Sequence, residues 1–284
     1  MKEVKAYAKL NLTLDILGKR PDGYHDMRMI MQEISLCDTL QIAPAETAEI
    51  RLQSNLSYLP CDRSNIVVKA AELFFRETGT ESLGLDVTME KQIPVCAGMA
   101  GGSSDGAAML RYLRDHLTPD MPREELERIG ALVGSDVPFC LRGKTALAEG
   151  RGEILTDLPP MPDCTILICK PEFPISTPEL FAQVRAKKLR LHPDTAGAME
   201  ALRAGDLAGI AHRLYNVFED VLPKRYKKVW ELKQQMLALD AMGACMTGSG
   251  PTVFGIFEDA GRAEEAAAEM KKNCGCVHLA HPVK

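Results

Sequence analysis

The sequence predicts an α+β protein built as two layered lobes. Three observations carry this. Strand-like alternation and helix-like periodicity both occur, yet they do not follow strict β-α alternation, which disfavours a doubly wound sheet. A loop rich in glycine and serine (94–104) opens directly into an apolar run with helical spacing. A proline-rich stretch, Leu158-Pro159-Pro160-Met161-Pro162, is the best linker, dividing the chain into 1–158 and 159–284. A chain of 284 residues suits one large domain or two ordinary ones.

Residues 3–16 alternate through Val4, Ala6, Ala8, Leu10, Leu12, Leu14 and Ile16 and read as a strand. A turn cluster at 18–23 separates it from a second strand, 27–42. Asn65 is placed to cap a helix whose apolar face is Ile66, Ala70, Leu73 and Phe74. A short strand is expected at 83–87 and another ending before Val95. Helices follow over 103–117 and 123–133. Gly106 lies inside the first, at a cost of roughly 1 kcal/mol against alanine. Residues 145–155 read as strand broken at Gly150-Arg151-Gly152, and 164–169 as a buried strand. Helices are expected near 177–187, 195–203, 206–218 and 223–239. A strand over 252–257, a helix over 260–272 and a closing strand at 277–280 complete the order.

Composition narrows the function. With 46% hydrophobic and 26% charged residues the chain is globular. A net charge of −5 argues against a general nucleic-acid binder. No apolar run is long enough to span a membrane, and the first residues lack a signal-peptide core. The nine cysteines are scattered without a CxxC pair, so reduced thiols in a cytoplasm are expected and a zinc site is not.

The segment Ile93-Pro94-Val95-Cys96-Ala97-Gly98-Met99-Ala100-Gly101-Gly102-Ser103-Ser104-Asp105 is the most informative. Glycines let backbone approach a ligand closely. The helix start beyond them offers unpaired N–H groups and the positive end of a dipole. Together these make a phosphate site. It is not a Walker loop, because Gly102 is followed by Ser103-Ser104 with no lysine. It is not a dinucleotide fingerprint, because the glycine spacing is wrong. Protein-kinase signatures are absent.

The pattern Pro-x-x-Ala-Gly-Met-x-Gly-Gly-Ser-Ser resembles the second motif of the GHMP small-molecule kinases. Ala8-Lys9-Leu10-Asn11-Leu12-Thr13-Leu14 near the start and Gly243-Ala244-Cys245-Met246-Thr247-Gly248-Ser249-Gly250-Pro251 near the end agree with that family in order and spacing. Lys9-x-Asn11, Arg20-Pro21-Asp22-Gly23-Tyr24-His25, Gly134-Ser135-Asp136-Val137-Pro138-Phe139 and Gly150-Arg151-Gly152-Glu153 are similar to the branch acting on 4-diphosphocytidyl-2-C-methyl-D-erythritol. The resemblance spans nearly the whole chain, and Gly-Tyr-His is its most discriminating part.

The resemblance implies a two-lobed α+β fold, with an N-terminal lobe like domain 2 of ribosomal protein S5, a ferredoxin-like C-terminal lobe, and the active site between them. It implies ATP-dependent phosphorylation of the substrate's 2-hydroxyl in isoprenoid-precursor synthesis, with Mg²⁺ entering with ATP. Pro94, Val95, Cys96, Ala97, Gly98, Met99, Ala100, Gly101, Gly102, Ser103 and Ser104 would wrap the ATP phosphates; simple helix capping is the plain alternative for the two serines, and compatible with it. Asp beside Gly commonly bonds its own backbone in a turn; the resemblance instead makes Asp136 the proton acceptor. Lys9, otherwise a solvated strand charge, would pair with Asp136 and polarise the hydroxyl. Tyr24 would stack on cytosine and His25 would read its polar edge, where the plain reading is a surface turn. Asn11 would contact the methylerythritol part. Thr177 and Phe181 would form a second wall of the cytidine pocket, the alternatives being an N-cap and a core phenylalanine. Asn65 would border the adenine or ribose, though capping explains it equally well.

Three positions depart from the family pattern: Met31 where some relatives carry an aromatic residue, Gly106 for alanine, and Thr247 for serine. The implied partner is a small molecule carrying a cytidine diphosphate group, with no nucleic acid and no membrane, the chain acting as a monomer or homodimer. Two rivals stay open at this point: another GHMP kinase of homoserine or mevalonate type, and a non-catalytic nucleotide-binding regulator.

Overall fold

The computed structural model describes residues 1–186, 189 and 191–284. The elements are β1 (Lys2–Lys19), β2 (His25–Pro44), β3 (Ile50–Ser54), α1 (Ile66–Thr78), β4 (Leu85–Glu90), α2 (Gly101–Leu117), α3 (Arg123–Val133) and α4 (Val137–Arg142). There follow β5 (Thr145–Gly150), β6 (Ile154–Asp157), β7 (Thr165–Lys170), α5 (Thr177–Ala186), α6 (Thr195–Ala204), α7 (Leu207–His212), β8 (Tyr215–Asn216) and α8 (Phe218–Val221). After a 3-10 turn at Lys224–Tyr226 come α9 (Lys228–Ala238), β9 (Gly243–Met246), β10 (Val253–Phe257), α10 (Ala260–Met270) and β11 (Cys276–Ala280). Helices and largely antiparallel sheet are thus mixed as an α+β fold. No helix among the described residues is long and apolar enough to cross a membrane, and the nine cysteines are free thiols.

The chain forms two compact units, and β1 and β2 contribute residues to both. The first comprises Met1–Ala8, Cys37–Val95 and Ala100–Gly143. Here β4 runs antiparallel to the end of β2, with Thr39 opposite Glu90, and parallel to β3, with Ile50 opposite Leu85. Helix α1 begins where Asn65 Oδ1 accepts from Val67 N and stops at Gly79, whose φ of +67° ends it with a left-handed turn. Its buried face, including Val67, Ala70, Leu73 and Phe74, packs against α2. Gly106 is explained at this contact. A Cβ there would lie 3.3 Å from Ile66 Cγ1, so the glycine lets the two helices approach closely.

The second unit comprises Lys9–Leu36, Cys96–Met99 and Lys144–Lys284. Its part of β2 pairs antiparallel with β5, from Met27 opposite Gly150 to Gln32 opposite Thr145, and β6 pairs with β5. A separate antiparallel sheet has the order β11-β7-β10-β9 and is covered by α9 and α10. Phe218, Phe254 and Phe257 are fully buried, each contributing roughly 2–3 kcal/mol of apolar burial. Met31 is also fully buried.

Several expectations are corrected. Only one strand, β4, occupies 83–95; beyond it Gln92 and Ile93 give their N–H groups to the Asp38 carboxylate, so no second ladder forms. The helix expected over 206–218 ends at His212, because Tyr215 and Asn216 pair in parallel with Thr13 and Leu14 of β1. The helix expected over 223–239 begins as a 3-10 turn behind Pro223 and becomes α-helical at Lys228. The short elements β3, α4, α8 and β9 were not expected at all. Residue 187, the expected end of the 177 helix, lies outside the described residues.

Candidate active site

In the first unit, α2 starts without a side-chain cap. Its N-cap is Ala100, in the left-handed region at φ +56°, so the plain alternative of a capping Ser103 or Ser104 does not hold. Ser104 Oγ instead donates to Tyr7 O at 2.6 Å, and Ser104 N makes the first helical bond, to Ala100 O. The N–H groups of Gly101, Gly102 and Ser103 therefore precede that first bond and form the open, positive end of a 17-residue helix. Cys96 (φ +53°) and Gly98 (φ +73°) share the left-handed backbone of Ala100. Two non-glycine residues in that region cost of order 1 kcal/mol or more each, the kind of strain found at ligand sites.

Asp136 is the half-buried N-cap residue of α4, and its side chain makes no capping hydrogen bond. Its carboxylate is thus not spent on the turn bond that is the ordinary role of such a residue. A Cβ built on neighbouring Gly134 would lie 4.0 Å from Ser103 Oγ, so the Gly134-Ser135-Asp136 turn runs beside the start of α2.

In the second unit, β1 carries a buried polar row, Lys9, Asn11, Thr13 and Asp15, on one face. Lys9 is only 4% exposed and donates from Nζ to Asn11 Oδ1 at 2.6 Å. The same oxygen accepts from Gly248 N at 3.0 Å, and Asn11 N donates to Thr247 Oγ1 at 3.1 Å. Lys9 N donates to Met99 O at 3.1 Å. Asn11 thereby fixes the Lys9 ammonium and the Gly248-Ser249-Gly250 turn together. The turn is held from its other side by Asn216, which is buried and donates from Nδ2 to Met246 O and Gly248 O, each at 2.8 Å. Sequence reasoning missed Asn216; its signal was an amide in an otherwise apolar run, Val217-Phe218 following. Thr247, noted only as a departure, supplies a hydroxyl that bridges Asn11 and Gly98 O (3.4 Å).

Gly98 sits hard against that turn. A Cβ there would meet Thr247 O at 2.4 Å and Gly250 N at 3.1 Å, on a backbone already at positive φ. Gly98→Ala is expected to destabilise the protein by roughly 2 kcal/mol or more, which thermal unfolding against wild type measures; an unchanged midpoint would refute the close approach.

His25, the first residue of β2, is buried and stacks on Phe181 of α5 with centroids 4.8 Å apart and planes at 20°. Phe181 meets Phe218 edge-on at 5.1 Å. A third ring sandwiched between His25 and Phe181 would need roughly 7 Å, so a base can lie against this pair but not between its members. Tyr24 is 58% exposed, with the Arg151 guanidinium over its ring at 5.1 Å. Thr177 Oγ1 lies 2.7 Å from Ser249 Oγ, tying the start of α5 to the glycine turn.

Comparison with known proteins adds the decisive observation. Residues 65–144 match the family model for the GHMP kinases N-terminal domain, and 198–276 match the GHMP kinases C-terminal model. The 4-diphosphocytidyl-2-C-methyl-D-erythritol kinase of Lachnoclostridium phytofermentans is 44% identical over 94% of this chain and 92% of its own. That of Clostridium kluyveri is 41% identical over 94% and 95%. The chain belongs to the 4-diphosphocytidyl-2-C-methyl-D-erythritol kinase family of GHMP kinases. A crystal structure of a 4-(cytidine 5'-diphospho)-2C-methyl-D-erythritol kinase superposes over the full length of both chains with a TM-score of 0.83 at 30% identity. The mevalonate kinase of L. major, 15% identical with a TM-score of 0.78 over 99% of this chain and 96% of its own, shares the GHMP fold. As a member of this kinase family, the chain is an ATP-dependent small-molecule kinase.

Proposed function

We propose that this kinase transfers the γ-phosphoryl group of ATP to the 2-hydroxyl of 4-diphosphocytidyl-2-C-methyl-D-erythritol, giving the 2-phosphate and ADP in isoprenoid-precursor synthesis. The 44% identity to a relative named for that compound, held over 94% of the chain, carries the reading. In phosphoryl transfer the protein chiefly positions groups and offsets charge. The free N–H groups of Gly101, Gly102 and Ser103, and the left-handed backbone before them, suit phosphate oxygens of the MgATP co-substrate. Pro94 to Ser104 is the segment that wraps them.

Asp136 takes the proton as the hydroxyl oxygen bonds to the γ-phosphorus and the bond to the bridging oxygen of ADP breaks. Lys9, held by Asn11, polarises the hydroxyl and offsets charge on the transferring group. No protein nucleophile takes part, so no phosphoenzyme forms. Asn11 also contacts the methylerythritol part. Tyr24 stacks on the cytosine, His25 hydrogen-bonds its edge, and Phe181 with Thr177 lines a second wall of the cytidine pocket.

A substrate panel tests this reading. Base–aromatic stacking is worth about 1–3 kcal/mol, so an acceptor lacking the cytidine is expected to lose on the order of 100-fold in kcat/KM. An unchanged kcat/KM, or preferred phosphorylation of homoserine or mevalonate, would overturn the assignment.

A further inference from the structure

The segment 94–104 enters just past the end of β4 and leaves in the first turns of α2, and both of its ends are tied to one buried ionic cluster. Asp38, on β2, accepts from Gln92 N (2.5 Å) and Ile93 N (2.8 Å) with Oδ1, and from Lys91 Nζ with Oδ2. Lys91 Nζ also donates to Asp105 Oδ2 in α2 at 2.6 Å. The three side chains are no more than 4% exposed. Where the two ends meet there is room only for glycine: a Cβ on Gly101 would lie 2.9 Å from Ile93 Cγ2 and 3.4 Å from Lys91 Nζ. None of the three ionic residues has a role in the transfer described above.

We propose that Lys91, Asp38 and Asp105 are positioning residues that clamp the entry and exit of the phosphate-binding segment, so that its strained backbone is preset for ATP. The inference rests on the reading of 94–104 as the ATP segment. A buried ion triad is seldom more stabilising than an apolar cluster of the same volume, so stability alone does not account for it. Strained residues such as Ala100 persist only where the surroundings over-determine them, and Asp38 and Lys91 fix the chain on both sides of that strain. The groups acting on Asp105 are Lys91 and Asp38. Of the charges on the helices packed around α2, Lys69 of α1 donates to Val133 O, and Arg142 of α4 pairs with Glu127 of α3.

Lys91→Met is expected to raise the KM for ATP about tenfold or more while the acceptor KM stays within about twofold. Asp105→Asn, whose amide oxygen still accepts from Lys91, is expected to keep the ATP KM within about threefold of wild type, whereas Asp105→Ala loses about tenfold. The same order should appear in the Kd of adenylyl imidodiphosphate, titrated without acceptor. An ATP KM unchanged in folded Lys91→Met, or an acceptor KM rising in parallel, overturns the clamp. Should Lys91→Met fail to fold, equal analogue Kd values for Asp105→Asn and Asp105→Ala overturn it instead. If analogue binding follows the clamp order but no phosphate reaches the cytidylylated acceptor, the clamp stands and the proposed reaction falls.

Discussion

Asp136→Asn is expected to lower kcat by roughly 10²–10⁴-fold, the usual contribution of a positioned proton acceptor, and to leave ATP binding within about twofold of wild type. The substitution keeps the shape of the side chain and removes only its capacity to take a proton. Because the Asp136 side chain makes no capping bond to α4, the change removes no helix-stabilising contact, and stability should move by no more than about 0.5 kcal/mol. Steady-state kinetics with calorimetric ATP titration checks both halves. A kcat within tenfold of wild type would remove Asp136 from the proton transfer. Lys9→Met is likewise expected to lower kcat, by the loss of the charge proposed to offset that of the transferring group.

The fold was legible wherever a local pattern decides the structure. Asn65 with Ile66, Ala70, Leu73 and Phe74 gave α1 and its cap, and the alternation of 3–16 gave β1. Failures came where a distant partner decides. Tyr215-Asn216 leaves its helical run to pair with Thr13-Leu14 some 200 residues away in sequence, and Gln92-Ile93 leaves the ladder for Asp38. The α4 segment, Val137-Pro138-Phe139-Cys140-Leu141-Arg142, is too short for periodicity to mark it.

The candidate site divides in the same way. Its motifs could be read from the glycine-serine run of 94–104 and from the resemblance of the remaining segments to a known family. How they are held could not. Asn11 reads as a polar position on a strand, and nothing local says that its one carbonyl oxygen serves both Lys9 and Gly248. Ala100 carries no capping side chain, so the true start of α2 was hidden behind the two serines. Asp38, Lys91 and Asp105 lie in three separate segments, and no local pattern singles them out: Lys91 stands between Glu90 and Gln92, and Asp105 follows two serines.

That buried cluster carries the second large prediction, which concerns pH. Burial pushes the Asp105 carboxyl up to about 8, and the neighbouring Asp38 pushes the same way, while Lys91 opposes both. Lys91 is itself held above its ordinary value: burial lowers it, but the two carboxylates outweigh the burial. Burial therefore favours the protonated carboxyl at Asp105 in the folded protein. Its unfolded value is about 3.9. A folded value above the unfolded one favours the protonated form, so this contribution is fully present below about pH 4. It is lost progressively as pH rises towards about 8, where the folded carboxyl itself ionises. Asp105→Asn holds the position permanently neutral and should abolish the loss. The stability difference between variant and wild type, compared at matched pH so that shared titrations cancel, should therefore shift in favour of the variant between pH 4 and 8. Each unit of displacement is worth about 1.4 kcal/mol, so a total shift of about 2 kcal/mol or more is expected. Thermal unfolding of both proteins across that range provides the measurement. A difference that stays constant with pH would mean that Asp105 ionises normally in the folded protein, and that the carboxyl beside Lys91 carries its charge at neutral pH.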